Sequence, residues 1–129
     1  MDGLIVRESA HDVPVTLQRL TNALKAKGIT IFSVIDHGQG AAQAGLSLRP
    51  TVVVIFGNPK AGTPLMQASQ TAGIDLPLKM LIWEDEARKT RLAYNDPAWI
   101  AARHRAAVPK IVATLSAVLA ELAEEAGRN

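Results

Sequence analysis

Between Phe56 and Thr63 the chain reads Phe-Gly-Asn-Pro-Lys-Ala-Gly-Thr. The apolar run Val52 to Phe56 before it has the composition of a buried strand, and Thr63-Pro64 after it reads as the N-cap and first proline of a short helix to about Ser69. A strand, a Gly-rich turn and a helix start can aim backbone N–H groups at a ligand, above all an anion. The spacing of Gly57 and Gly62 fits the first half of a Walker phosphate loop. Thr63-Pro64 stands where that motif needs Lys-Ser/Thr, so a nucleoside phosphate is not the expected ligand. Asn58 is the side chain best placed for a direct polar contact, with Gly62 and Thr63 offering backbone N–H groups. The rival reading is a tight connection that needs its two glycines at positive φ, with Asn58-Pro59 merely starting a turn.

Two further residues could serve the same site. His37 ends a strand beside Gly38 and Gly40, where an imidazole can reach a ligand or act as acid or base. Asp36 points to the opposite strand face and cannot orient it. Lys79 shares a strand face with Leu81 and Trp83 and either snorkels outward or offers a positive charge to a pocket. His104, between Arg103 and Arg105 near a helix end, reads as a cation that complements the helix dipole. The three histidines, His11, His37 and His104, lack the spacing of metal ligands, and no serine lies in a nucleophile elbow. No metal or cofactor is expected.

The 129 residues suit a single domain, 1–129, with a sizeable core. Without cysteine there is no disulfide, thiolate metal site or cysteine nucleophile. No apolar run approaches the roughly 18 residues of a membrane span, and Met1-Asp2-Gly3 lacks the basic start of a signal peptide. The expectation is a cytoplasmic protein away from membranes. The net charge of +2 is small and its basic residues are scattered, while 4% aromatic residues are too few for a base-stacking platform. Nucleic acid is therefore not an expected partner.

The elements that must position these residues are legible in outline. Leu4 to Arg7 reads as a strand. Val13-Pro14 opens a helix with an apolar stripe at Val13, Leu17, Leu20 and Leu24, and Gly28 ends it. Ile29 to Asp36 and Thr51 to Phe56 are strands, separated by the breaker His37-Gly38-Gln39-Gly40 and a helical turn at Ala41–Ala44. Leu78–Glu84 and Thr90–Tyr94 form a hairpin. Asp96-Pro97 starts a helix to about Arg105, and Pro109 starts the long last helix. The pattern predicts an α+β fold with a largely antiparallel sheet. Ile29–Ile35 and Val52–Phe56 are apolar at most or all positions, so both faces need cover. Too few elements remain to provide it, which predicts a homodimer.

The runs Leu48-Arg49-Pro50-Thr51, Phe56-Gly57-Asn58-Pro59, Gly62-Thr63-Pro64-Leu65-Met66, Asp75-Leu76-Pro77-Leu78-Lys79, Trp83-Glu84-Asp85, Tyr94-Asn95 and Arg103-His104 resemble the domain of unknown function 302 family. The resemblance spans nearly the whole chain. It implies a β-α-β4-α arrangement with the fold of the TATA-binding protein, short helical insertions and a long C-terminal helix. It also implies homodimers, and it carries no settled activity. The hairpin turn departs from the family pattern: Glu86-Ala87-Arg88-Lys89 stands where the family has a glycine. The expected function is binding of a small polar or anionic ligand near Gly57–Thr63. The alternatives are an enzyme with His37 as its acid–base group and a structural or protein-interaction module.

Overall fold

The computed structural model describes every residue, Met1–Asn129. Its elements are β1 (Leu4–Glu8), α1 (Val13–Ala26), β2 (Thr30–Asp36), α2 (His37–Gln43), β3 (Thr51–Gly57), α3 (Pro59–Ala68), a 3-10 turn (Gln70–Ile74), β4 (Leu78–Glu84), β5 (Thr90–Asn95), α4 (Pro97–Arg103) and α5 (Pro109–Gly127). The five strands form one antiparallel sheet in the order β1-β5-β4-β3-β2. The fold is thus α+β in the expected β-α-β4-α order.

Local chemistry sets the boundaries. Asp12 caps α1 by accepting the Val15 N–H at 2.9 Å, Pro14 sits in the first turn, and Gly28 leaves the helix at φ +69°. Leu20 and Leu24 are wholly buried on the sheet. On α5, Leu115, Leu119 and Leu122 are buried, while Glu121 and Glu124 are exposed. The main core joins α1, α5 and the even-numbered residues of the central strands: Val52, Val54, Phe56, Met80, Ile82, Leu92 and Tyr94. A smaller core, Leu65, Ala72, Ile100, Ala101 and Ala106, ties α3 and the 3-10 turn to α4.

The helices cover one face of the sheet. Opposite partners in an antiparallel pair share a face. The register therefore places Ile35, Val53 and Leu81 side by side on the other face, with Ser33, Ile55 and Lys79 in the next row. Phe32, Ile35, Leu4 and Val6 are exposed large apolar residues. The β3 pattern alternates strictly between buried and half-buried, although its sequence is apolar throughout.

The β4–β5 turn shows how this chain manages without a glycine. Arg88 adopts φ +62°, in the left-handed region. The Asp85 carboxylate holds the turn by accepting the N–H groups of Ala87 and Lys89, each at 2.9 Å. The Lys89 N–H first, then the Arg91 guanidinium, hold the Asp85 carboxyl below the usual carboxylate range. A side chain at positive φ costs energy that glycine avoids, while glycine loses more chain entropy on folding. The balance predicts that Arg88→Gly stabilises the protein by up to about 1 kcal/mol. A higher urea midpoint at unchanged slope is the expected result; a lower one would show that Arg88 makes contacts that outweigh its backbone strain.

Candidate functional site

The loop expected between Gly57 and Thr63 is largely helix. Asn58-Pro59 is itself a cap-plus-proline start, five residues before Thr63-Pro64, and the earlier one is used. Asn58 Oδ1 accepts the Lys60 N–H at 2.9 Å, and the Asn58 carbonyl accepts those of Ala61 and Gly62. Pro64 lies inside α3, so the Lys60 carbonyl lacks its helical amide partner. Thr63 is therefore not an N-cap. Gly62 is helical and has no positive φ; a Cβ there would stand 3.8 Å from Leu76 Cδ1, an ordinary contact. The strain expected for a side chain at Gly62 does not arise. Gly57 needs no positive φ either.

Beside this helix lies a cavity of about 340 Å³, within the size range of small-molecule pockets. Phe32, Met66, Leu76, Pro77, Leu78 and Leu115 give it apolar walls. Asn58, Gly62 and Thr63 also line it. The surroundings are oily where the sequence suggests a polar or anionic site.

His37 is not part of it. β2 and β3 run antiparallel, with Thr30 opposite Gly57 and Asp36 opposite Val52. His37 follows Asp36 and Asn58 follows Gly57, so they leave the strand pair at opposite ends, roughly 20 Å apart for strands of this length. His37 is the exposed first residue of α2, with no hydrogen-bond partner, and Asp36 caps that helix through the Gln39 N–H. The glycines Gly38 and Gly40, which signal a break in the sequence, lie within the helix.

Lys79 does not line the cavity. It faces the open side of the sheet opposite Ile55, and its Nζ donates to the Asp75 carbonyl at 3.2 Å. Burial pushes the amine below its usual range, while the charge of Asp75 pulls it partly back.

The densest polar cluster lies elsewhere. Asp75, which caps the 3-10 turn, meets the end of α4. His104 Nε2 lies 2.6 Å from Asp75 Oδ2, and Arg103 Nη1 donates to both Asp75 oxygens at 2.9 Å. The other imidazole nitrogen, Nδ1, is 2.8 Å from the Thr71 hydroxyl. The His104 side chain is only 7% exposed and that of Asp75 14%, so their contact is shielded. Burial pulls the Asp75 carboxyl upward, but the hydrogen bond to His104 and the Arg103 charge prevail and hold it below 3.8. Arg103 also lies over the Trp99 ring, 5.7 Å from its centroid. An ionised carboxylate takes its hydrogen bond from Nε2–H; in the neutral ring Nδ1 then accepts from the Thr71 hydroxyl, and in the charged ring both nitrogens donate. Reading His104 as a helix-end cation misses this pairing; the only sequence signal is its place in the Arg103-His104 motif.

Fold and site together define a small α+β protein with an apolar cavity and a partly buried carboxylate–imidazole pair. The chain belongs to the domain of unknown function DUF302 family, whose profile matches residues 5–126. A crystal structure of an uncharacterized conserved DUF302 protein from Bacillus stearothermophilus superposes with a TM-score of 0.85, covering 98% of this chain and 99% of that one at 18% identity. It shares the fold. Over 102 residues, 79% of its length, the chain is 50% identical to proteins named fluoride-specific ion channel FluC 1 from Brucella suis and Brucella abortus. The match spans only about two-fifths of those relatives, 40% and 38%.

Proposed function

We propose that the protein is a homodimer that binds a small, mainly apolar molecule in the cavity beside α3. The observation that carries the ligand reading is the cavity itself: about 340 Å³, walled by Phe32, Met66, Leu76 and Leu78, with Asn58 and Thr63 among the lining residues. Such a recess favours a ligand with an oily body and one polar end over a free anion. The α3 N-terminus adds up to about 1 kcal/mol for an exposed negative group, too little to hold an anion alone.

A thermal-shift series of medium-chain carboxylic acids, the matching alcohols and small aromatic alcohols tests this reading. A ligand at a hundredfold excess over its Kd stabilises by about 2.7 kcal/mol, or roughly 10 °C for a domain of this size. Gly62→Val, whose side chain would grow toward Leu76 in the cavity wall, should fold as well as the parent and lose the shift. No shift with any member of the series, or an equal shift in the variant, would count against the cavity.

A second reading comes from the Brucella relatives, whose names call them fluoride channels. No helix of this chain is long and apolar enough to cross a membrane. In this reading the shared region is a non-spanning module that accompanies a channel portion. It expects sodium fluoride, compared with sodium chloride at equal ionic strength, to shift the melting temperature. Equal melting points would leave the cavity reading in front.

A further inference from the structure

We propose that Thr71, His104 and Asp75 form an acyl-transfer site, with Thr71 Oγ1 as nucleophile toward small esters and thioesters. Nothing in the sequence motifs brings these residues together. The fold does so by packing the 3-10 turn against the end of α4.

The geometry is that of a nucleophile, a base and an orienting carboxylate in series. Thr71 Oγ1 is 2.8 Å from His104 Nδ1, and His104 Nε2 is 2.6 Å from Asp75 Oδ2. Both distances are within hydrogen-bond reach. The two imidazole nitrogens are exchanged relative to the serine-protease arrangement, but each role is filled. Arg103 fixes the carboxylate through both oxygens, so Asp75 is a positioning residue. The His104 side chain is largely covered and Thr71 is exposed, which leaves the hydroxyl as the member that can meet a substrate. A clasp between the 3-10 turn and α4 needs only Asp75 with Arg103 and His104. The Thr71 hydroxyl, 3.3 Å from Ser69 Oγ as well, is the exposed end of the series and faces the remaining imidazole nitrogen, as a nucleophile would.

The steps balance. Thr71 Oγ1 adds to the acyl carbon while its proton passes to His104 Nδ1, and Asp75 stabilises the resulting imidazolium. The bond to the leaving alcohol or thiol breaks, and that group takes the proton from Nδ1. Water then gives a proton to Nδ1 and adds to the acyl-threonine carbonyl. The bond to Thr71 breaks, Nδ1 returns the proton to its oxygen, and a carboxylic acid departs. Ester and water become acid and alcohol, with no other reactant.

The substrate class rests on the cavity reading. Thr71, Asp75 and His104 do not themselves line the cavity, but Gly73 and Leu76, from the same stretch of chain as Thr71 and Asp75, do, so an apolar acyl chain that extends into it is favoured.

The test uses the full chain with p-nitrophenyl acetate and p-nitrophenyl hexanoate. Release of p-nitrophenol above buffer is expected, with an acetyl group on Thr71 identified by mass spectrometry of the trapped protein. Thr71→Ala should lower kcat/KM at least about 100-fold, the scale of a lost nucleophile–base pair, while the protein stays folded and its melting temperature falls by no more than the few degrees of one lost hydrogen bond. Thr71→Ser should restore most of the rate. No release above buffer, an unchanged rate in Thr71→Ala, or acetylation at another residue would overturn the proposal. If the acetate ester is cleaved through Thr71 but hexanoate is not preferred, the relay stands and the cavity reading fails. Thermal shifts without cleavage would mean the reverse: the cavity binds its ligand and the relay is not a nucleophile.

Discussion

Asp75→Ala should lower stability at neutral pH by roughly 2–3 kcal/mol, the worth of charged hydrogen bonds to a shielded group. The change strips His104 Nε2 of its acceptor in a largely buried position and releases Arg103 into solvent. The exposed Arg103 pairing contributes little of this, because solvent screens it; the buried imidazole contact contributes most. The loss should depend on pH in one direction. The Asp75 carboxyl is depressed below 3.8 in the folded protein. Its stabilisation is therefore fully present above that value and disappears as pH falls through the lower folded pKa. Urea unfolding of parent and Asp75→Ala across the acid range should show a wide gap at neutral pH that narrows below about pH 4. A gap that is absent at neutral pH would mean the cluster contributes no net stability. A gap that grows in acid would reverse the assigned sign.

The same cluster shows where reading the sequence reaches its limit. Asp75 and His104 are 29 residues apart, and neither carries a local pattern that announces the other. Their meeting depends on how the 3-10 turn, for which the sequence carries no clear signal, packs on α4. Local chemistry is more legible. The α1 boundaries follow from Pro14 and Gly28, each acting through its own backbone. The error at α3 is also local: two cap-plus-proline signals stand in tandem, and the sequence offers no energetic ground for preferring Thr63-Pro64 over Asn58-Pro59. Choosing the second turns the first turn of a helix into a ligand loop that does not exist. His37 is misplaced for a topological reason. Two strand ends that look equivalent along the chain lie at opposite ends of the strand pair once the strands run antiparallel.

Val53→Glu should convert the proposed dimer into a monomer while leaving each subunit folded. Val53 lies on the face of the sheet that no helix covers, between Ile35 and Leu81, and is only half-buried. On the same face, Ile35, Val6 and Leu4 are 41%, 45% and 36% exposed, an apolar extent unusual for a monomer surface. Lys79 and Arg91, in the Ile55 and Trp83 rows, give the same face a polar margin. Joining two such faces across a two-fold axis would remove this area from water, as α1 and α5 already do on the other side. A glutamate at the centre would place two buried like charges in such an interface, a penalty of several kcal/mol. The dissociation constant should then rise at least about 100-fold, since each 1.4 kcal/mol is a factor of ten. In the isolated subunit the same side chain points to solvent, so the melting temperature of the monomer should reflect only the lost strand propensity. Sedimentation equilibrium at micromolar concentration should return twice the 13.8 kDa chain mass for the parent and a single chain mass for Val53→Glu. A parent that sediments at 13.8 kDa would end the dimer proposal. A variant that remains dimeric would move the interface away from this face, to the exposed edge of β2 or to the helices.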